Sequence, residues 1–313
     1  MRMVSAKEVD GALDDRELVA ALREMFRAGC EVPLRHHHTI PAPGVADGML
    51  LLMPAWQSGG QIGIKLVTVF PDNGKAGLAS ILGNYLLLDA TTGQPLALLD
   101  GVRLTLRRTA CASALAADYL AREDASNLVM VGAGALAPYL IRAHGAVRPI
   151  TRVTIWNHNG DKAKALADGL EIDGIEVVAS TDLEAAVGAA DIVSCATLSS
   201  EPLVQGDWLP PGCHLDLVGA FRPDMRECDD RAAARSRIYV DTREGALAEG
   251  GDIAIPLANG TISVDDIEGD LFDLTRGLAG GRGANGENDI TLFKSVGTAL
   301  EDLAAAKLVM QNL

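Results

Sequence analysis

Hydrophobic positions follow two different periods in this chain. Between residues 15 and 28, Leu18, Leu22 and Met25 recur at helical spacing, and Gly29 follows as a stop. Before them, Ser5-Ala-Lys-Glu8 has the Ser-x-x-Glu spacing of a capping box opening a short helix. Strand-type runs come next, at 48–54, 61–70 and 85–89. Thr91-Thr-Gly-Gln94 turns the last of these back into 95–99. No helical stretch alternates with these runs, so the opening reads as an antiparallel or mixed α+β domain.

From about residue 109 the pattern changes. Thr109 is placed to cap a helix running through Cys111-Ala-Ser-Ala-Leu-Ala-Ala-Asp-Tyr-Leu120. Strand candidates then fall at 128–131, 152–156, 176–179, 191–197, 214–219 and 237–241. Most are separated by segments rich in Ala, Leu, Glu and Lys, as βα alternation requires. Right-handed crossovers make such a series an α/β fold with a Rossmann-type doubly wound parallel sheet. Residues 290–313 carry Ala- and Leu-rich helical periodicity and are free to return to the first domain. The expected division is 1–115 with 290–313, and 116–289. Five glycines between 277 and 286 mark a mobile loop.

The glycine pattern within the second domain points to chemistry. In Leu128-Val-Met-Val-Gly-Ala-Gly-Ala-Leu-Ala137 a short apolar run ends in Gly132-x-Gly134-x-x-Ala137 and passes into a helical segment. Gly132 allows a tight turn, Gly134 lets backbone approach a pyrophosphate, and Ala137 permits close helix packing. The helix N-terminus supplies amide donors. The next strand, Val153-Thr-Ile-Trp156, runs into Asn157-His158-Asn159, so the carboxylate that commonly binds a ribose 2′-hydroxyl is absent. Asn157 can bond the ribose without repelling a 2′-phosphate, and His158 and Lys162 can attract one. The expected cofactor is NADPH or NADH, with NADPH favoured.

Composition narrows the partners. The 313 residues are 48% hydrophobic and carry a formal charge of −15, which argues against nucleic acid or an anionic membrane. An anionic small substrate stays open, because local arginines override the global sign. Cys30, Cys111, Cys195, Cys213 and Cys228 are dispersed without a CxxC pair, as reduced thiols of a cytoplasmic protein are. The first residues lack an apolar signal core, and no apolar run reaches spanning length.

Lys65 lies in Ile62-Gly-Ile-Lys-Leu-Val-Thr-Val69, apolar on both sides. It either snorkels at an edge or sits in a polar pocket where its ammonium needs a partner. Arg108 is either a surface charge at a helix start or a fork that grips a carboxylate beside amide donors. Arg35-His36-His37-His38 suggests a metal, but consecutive extended residues point to opposite faces. No metal is expected, and Arg35 with His37 on one strand face reads as a cationic surface.

These pieces, in this order, resemble the ornithine cyclodeaminase/mu-crystallin family. The matching segments are Gly63-Ile-Lys65, Arg108-Thr-Ala-Cys-Ala-Ser-Ala114, Val131-Gly-Ala-Gly134, Val218-Gly-Ala-Phe-Arg-Pro-Asp-Met-Arg-Glu227 and Thr291-Leu-Phe-Lys-Ser-Val-Gly297. The resemblance implies a homodimer. Its first domain, completed by the C-terminal helix, builds the substrate floor and dimer interface, and its Rossmann domain binds the nucleotide. By matching motifs Arg35, Lys65 and Arg108 take the substrate-carboxylate and catalytic positions, and Ser80 falls near a further polar contact. The cofactor set is Thr109, Gly132, Gly134, Ala135, Asn157, His158 and Ser295.

Family members include ornithine cyclodeaminases, alanine dehydrogenases and ketimine reductases. Cyclodeaminases place an Asp just after Val-Gly-Gly, whereas this chain has Phe221 there and Asp224 three residues on. Phenylalanine neither accepts a proton nor holds an ammonium, but it can cover an apolar ring. Phe221 and Asp224 therefore join Ser80 as substrate-side candidates. The implied activity is NAD(P)H-dependent reduction of Δ1-pyrroline- or Δ1-piperideine-2-carboxylate to L-proline or L-pipecolate, with Lys65 the proton source. Ornithine cyclodeamination and alanine dehydrogenation are the enzymatic alternatives. A mu-crystallin-like nucleotide-binding protein is the non-enzymatic one.

Overall fold

The computed structural model describes residues 1–283 and 286–313. The chain forms two compact units, Met1–Arg108 with Thr298–Leu313, and Thr109–Gly297. The boundaries thus fall seven residues before the expected 115/116 division and eight residues after the expected 289/290 one.

The first unit opens with β1 (Arg2–Val4) and α1 (Ala6–Ala12), where Ser5 and Glu8 close the capping box. The amphipathic α2 (Asp15–Ala28) is capped by Asp14, stopped by Gly29, and buries Leu18, Leu22, Met25 and Phe26. Then come β2 (His36–Ile40), β3 (Gly48–Trp56), β4 (Gln61–Val69), β5 (Ile81–Asp89) and β6 (Pro95–Asp100). They form one mixed sheet in the order β1-β6-β5-β4-β3-β2, in which only the β1–β6 pair is parallel. Lys65 is therefore on an interior strand and does not snorkel at an edge.

Helix α3 runs from Gly101 to Leu120, so Arg108 and Thr109 are mid-helix and Thr109 caps nothing. Asp100 accepts from the Arg103 N–H at the helix start instead. The apolar–polar alternation of Val102-Arg-Leu-Thr-Leu-Arg107 has a strand's period and conceals the helical frame, in which Leu104, Arg107, Arg108 and Cys111 are buried.

The second unit alternates as its sequence predicts: β7 (Asn127–Val131), α4 (Ala137–Val147), β8 (Arg152–Trp156), α5 (Gly160–Gly169), β9 (Glu176–Ser180), α6 (Leu183–Gly188), β10 (Ile192–Cys195), β11 (His214–Leu217), α7 (Asp230–Arg235) and β12 (Ser236–Val240). It continues with α8 (Arg243–Glu249), α9 (Gly251–Ala258), β13 (Ile267–Asp270), α10 (Leu271–Arg276) and β14 (Ile290–Lys294). All eight strands are parallel, in the order β13-β12-β14-β11-β10-β7-β8-β9. The order reverses direction between β7 and β10, the position where such sheets bind ligands.

Residues 290–294, expected to be helical, are β14, inserted between β11 and β12 and buried along their whole length. A strand covered on both faces has no alternation to reveal it. In the glycine-rich stretch 277–286, residues 284–285 lie outside the described residues. Arg282 is fixed beside them: its guanidinium donates to the carbonyls of Leu120, Gly286 and Asp289 and to Thr291 Oγ1. The chain returns to the first unit as α11 (Ala299–Asn312), which packs on α2, β4 and β3.

Candidate active site

A cavity of about 510 Å³ lies at the carboxyl ends of β7, β8 and β10, lined by Gly132–Gly134, Trp156–His158, Lys162, Ala196–Ser199 and Leu203. Gly132 adopts φ +113°, and a Cβ on it would meet the Ala196 carbonyl at 2.7 Å, so the tight turn admits only glycine. A Cβ on Gly134 would meet nothing within 4 Å, which leaves open space before the N-terminus of α4. Among the described residues no side chain caps that helix; its Ala137 and Tyr139 N–H groups donate to the Gly134 and Leu136 carbonyls and Pro138 has no N–H, so a phosphate there would be met by the glycine turn that precedes the helix. These features fit a dinucleotide. Among the described residues that line the cavity there is no Asp or Glu. Ala135 lies exposed in the turn, while Thr109 and Ser295 are buried and do not line the cavity. The Ser295 hydroxyl is 3.3 Å from Asp241, which also accepts from the N–H groups of Val296 and Gly297.

The first unit gathers a separate set of charges. Lys65 Nζ is 2.7 Å from Asp302 Oδ2, with both side chains almost fully buried. Arg108 reaches Asp302 Oδ1 at 3.0 Å through Nε and Glu301 Oε2 at 2.6 Å through Nη1. Two cations thus meet two anions, as burial of charge demands. Burial pushes the Lys65 pKa down, and the Arg108 charge adds to this. Asp302 pulls it up, Arg35 pushes it down again, and it settles at about 8. Burial also opposes the Arg108 charge, but Asp302 and Glu301 outweigh it and raise that guanidinium above its ordinary range. Tyr85, paired with Lys65 across β4 and β5, is fully buried, and its hydroxyl has no hydrogen-bond partner among the described residues.

Sequence reasoning named Lys65 and Arg108 but missed Glu301 and Asp302, which stand in the first turn of α11 and resemble ordinary helix-start acids. Arg108 does not open a helix of its own; its fork is held by two carboxylates of the first turn of α11. Arg35 precedes β2 and does not share a strand face with His37. The three histidines are exposed, with the His36 and His38 rings edge-to-face at 6.2 Å. No group of three or more His, Cys, Asp or Glu among the described residues could hold a metal ion. Ser80 is not gathered with Lys65: it lies beyond the β4–β5 pair Val69–Ile81, about 15 Å along the strands. Phe221 is exposed, and exposed Asp224 is held ionised chiefly by its hydrogen bonds with Arg222.

Two buried acids of the second unit also escaped the sequence reading. Asp216 accepts from Ser113 and Ser194 and lies 3.3 Å from His144 on α4, tying the cavity helix to the sheet. Glu227 accepts from the N–H and hydroxyl of Thr197 and from the N–H groups of Gly219 and Ala220.

An eight-stranded parallel sheet with a glycine turn and an uncapped helix at its switch point defines a dinucleotide-binding protein of the Rossmann type. The chain belongs to the ornithine cyclodeaminase/mu-crystallin family, whose model matches residues 2–313. It is 38% identical over 317 residues to Delta(1)-pyrroline-2-carboxylate reductase of Colwellia psychrerythraea, covering 100% of this chain and 99% of that one. Among solved structures it resembles Thermococcus litoralis Delta(1)-pyrroline-2-carboxylate reductase in complex with NADH and L-proline. The TM-score is 0.91 at 34% identity, over 100% of this chain and 97% of that one. An archaeal alanine dehydrogenase dimer with bound NAD gives a TM-score of 0.89 at 30% identity, over 100% and 95% of the two chains.

Proposed function

We propose that this chain reduces cyclic ketimine carboxylates, Δ1-pyrroline-2-carboxylate or Δ1-piperideine-2-carboxylate, to L-proline or L-pipecolate. At the coarser level it is an NAD(P)-dependent oxidoreductase acting on C=N and CH–NH bonds. The lining of the second unit's cavity would hold a nicotinamide dinucleotide, which when bound would supply the hydride. The observation that carries the reading is the buried Lys65 ammonium held 2.7 Å from Asp302, where burial lowers its pKa to about 8. It stays mostly protonated at neutral pH yet gives up its proton more readily than an ordinary lysine. Donation to the imine nitrogen makes the ring carbon a better hydride acceptor. The new N–H comes from Lys65, the new C–H from the hydride, and the C=N π bond is lost. Asp302 holds the ammonium in place, and Arg108 and Arg35 supply positive charge for the substrate carboxylate.

The carboxylate-free lining with His158 and Lys162 supports a preference for NADPH. A second copy of the chain supports the other side of the sheet. Strand alternation puts Leu52, Ile64, Leu66 and Leu86 on the face opposite Lys65, where Leu66 keeps 38% exposure. The dispersed cysteines, with no CxxC pair, suit a reducing, cytoplasmic setting.

The deciding experiment follows NADPH and NADH oxidation with pyrroline-2-carboxylate, piperideine-2-carboxylate, and pyruvate plus ammonia. Cyclic imines should turn over far faster. Equal or faster turnover of pyruvate plus ammonia overturns the reading in favour of an alanine dehydrogenase.

A further inference from the structure

We propose that Glu227 is a positioning residue for the dinucleotide: its carboxylate fastens the loop after β10 to the turn after β11 and so sets one wall of the cavity. Thr197 and Leu203 both line that cavity. Glu227 Oε1 takes the Thr197 N–H at 2.6 Å and the Thr197 hydroxyl at 2.8 Å. Its Oε2 takes Gly219 N–H at 2.7 Å and Ala220 N–H at 3.3 Å. Its own carbonyl accepts from Leu203 at 2.9 Å and Val204 at 3.0 Å. The two loops touch at Gly219, where a Cβ would stand 2.0 Å from the Thr197 carbonyl oxygen and 2.6 Å from Glu227 Oε1. No side chain fits between them, and the carboxylate is their shared acceptor.

A second layer holds Glu227 itself. Asp252 on α9 accepts from the Glu227 N–H at 2.6 Å, and Lys294 on β14 lies 3.0 Å from Asp252. The buried thiols Cys195 and Cys228 complete the ionisable surroundings. Only an ionised carboxylate accepts all four loop donors, because a protonated oxygen turns a hydrogen towards an N–H. Burial drives the Glu227 pKa up, Lys294 opposes this and Asp252 reinforces it, and the value reaches about 7. The clamp is therefore complete above that pH and loosens as pH falls through it.

The inference rests on the dinucleotide reading of the cavity and not on the imine substrate, so it is tested by binding alone. NADH is the probe, since it lacks a titrating 2′-phosphate, and its dissociation constant is measured by its fluorescence without substrate. For the native protein the constant should rise about tenfold as pH falls through the Glu227 transition. Glu227→Gln should bind about tenfold more weakly above it and lose that part of the pH dependence. Every other group of the cavity is common to both proteins, so the difference between the profiles isolates Glu227. Circular dichroism and melting show whether the variant folds. If it does not, Thr197→Val should weaken NADH binding severalfold with a shallower profile, while Thr197→Ser keeps both native. A folded Glu227→Gln with native affinity and profile, or Thr197→Val matching Thr197→Ser, overturns the proposal.

Discussion

The Tyr85 hydroxyl occupies the space that a side chain on Gly63 would need: a Cβ there would lie 1.7 Å from Tyr85 Oη and 2.5 Å from Cζ. Gly63 is two residues before Lys65 on the same face of β4, and Tyr85 pairs with Lys65 in register. The glycine lets the ring lie flat over the strand that carries the buried ammonium. Gly63→Ala should lower stability by about 1–3 kcal/mol, read as a fall in melting temperature. Imine reduction should fall further than the loss of folded protein explains, and an unchanged melting temperature would contradict the packing described.

Lys65→Met should slow imine reduction about 100-fold or more, the scale of a lost proton donor, and leave NADPH binding intact. On the proposed mechanism the protonated ammonium is the active form in the native protein. With the pKa at about 8, turnover should be high below that pH and decline as pH rises through it. Near-normal turnover of the variant would make Lys65 structural.

Asn157 stands at the end of β8 within the cavity lining, its amide donating to the Asn159 carbonyl. Asn157→Asp should move the ratio of NADPH to NADH efficiency towards NADH, because a carboxylate repels a 2′-phosphate and accepts from a free ribose hydroxyl. A constant ratio would show that residue 157 does not face the ribose.

Ornithine should be a poor substrate. Exposed Phe221 offers no acid, and covering an ammonium with its ring removes hydration without replacing it. Proline formation from ornithine with catalytic NAD+ is compared with pyrroline-2-carboxylate reduction on one preparation. Comparable rates would restore the cyclodeaminase assignment, with Asp224 the first residue to examine.

The parallel sheet was legible because βα alternation, the glycine turn and the strand at 152–156 are all local signals. What stayed hidden depends on distance along the chain. Arg108 and Asp302 are 194 residues apart, and nothing local marks either as the other's partner. The beginning of α3 was concealed by a coincidental period of two, and β14 by burial on both faces. Glu227 lay inside a segment quoted for its resemblance, but its role depends on four donors from two other stretches of backbone. Ser80 is a motif position that the strand register holds away from Lys65, a separation that no local signal displays.

Because Glu301 and Asp302 belong to α11, the order of synthesis bears on how the first unit matures. Lys65 and Arg108 leave the ribosome long before their counterions, with the whole of the second unit made in between. Until then the two cations have no anions to be buried with, and enclosing them is strongly unfavourable. The second unit can mature as a continuous stretch, whereas the first must remain unsealed around its charges. A helix made only after the whole of the second unit is the one that closes it.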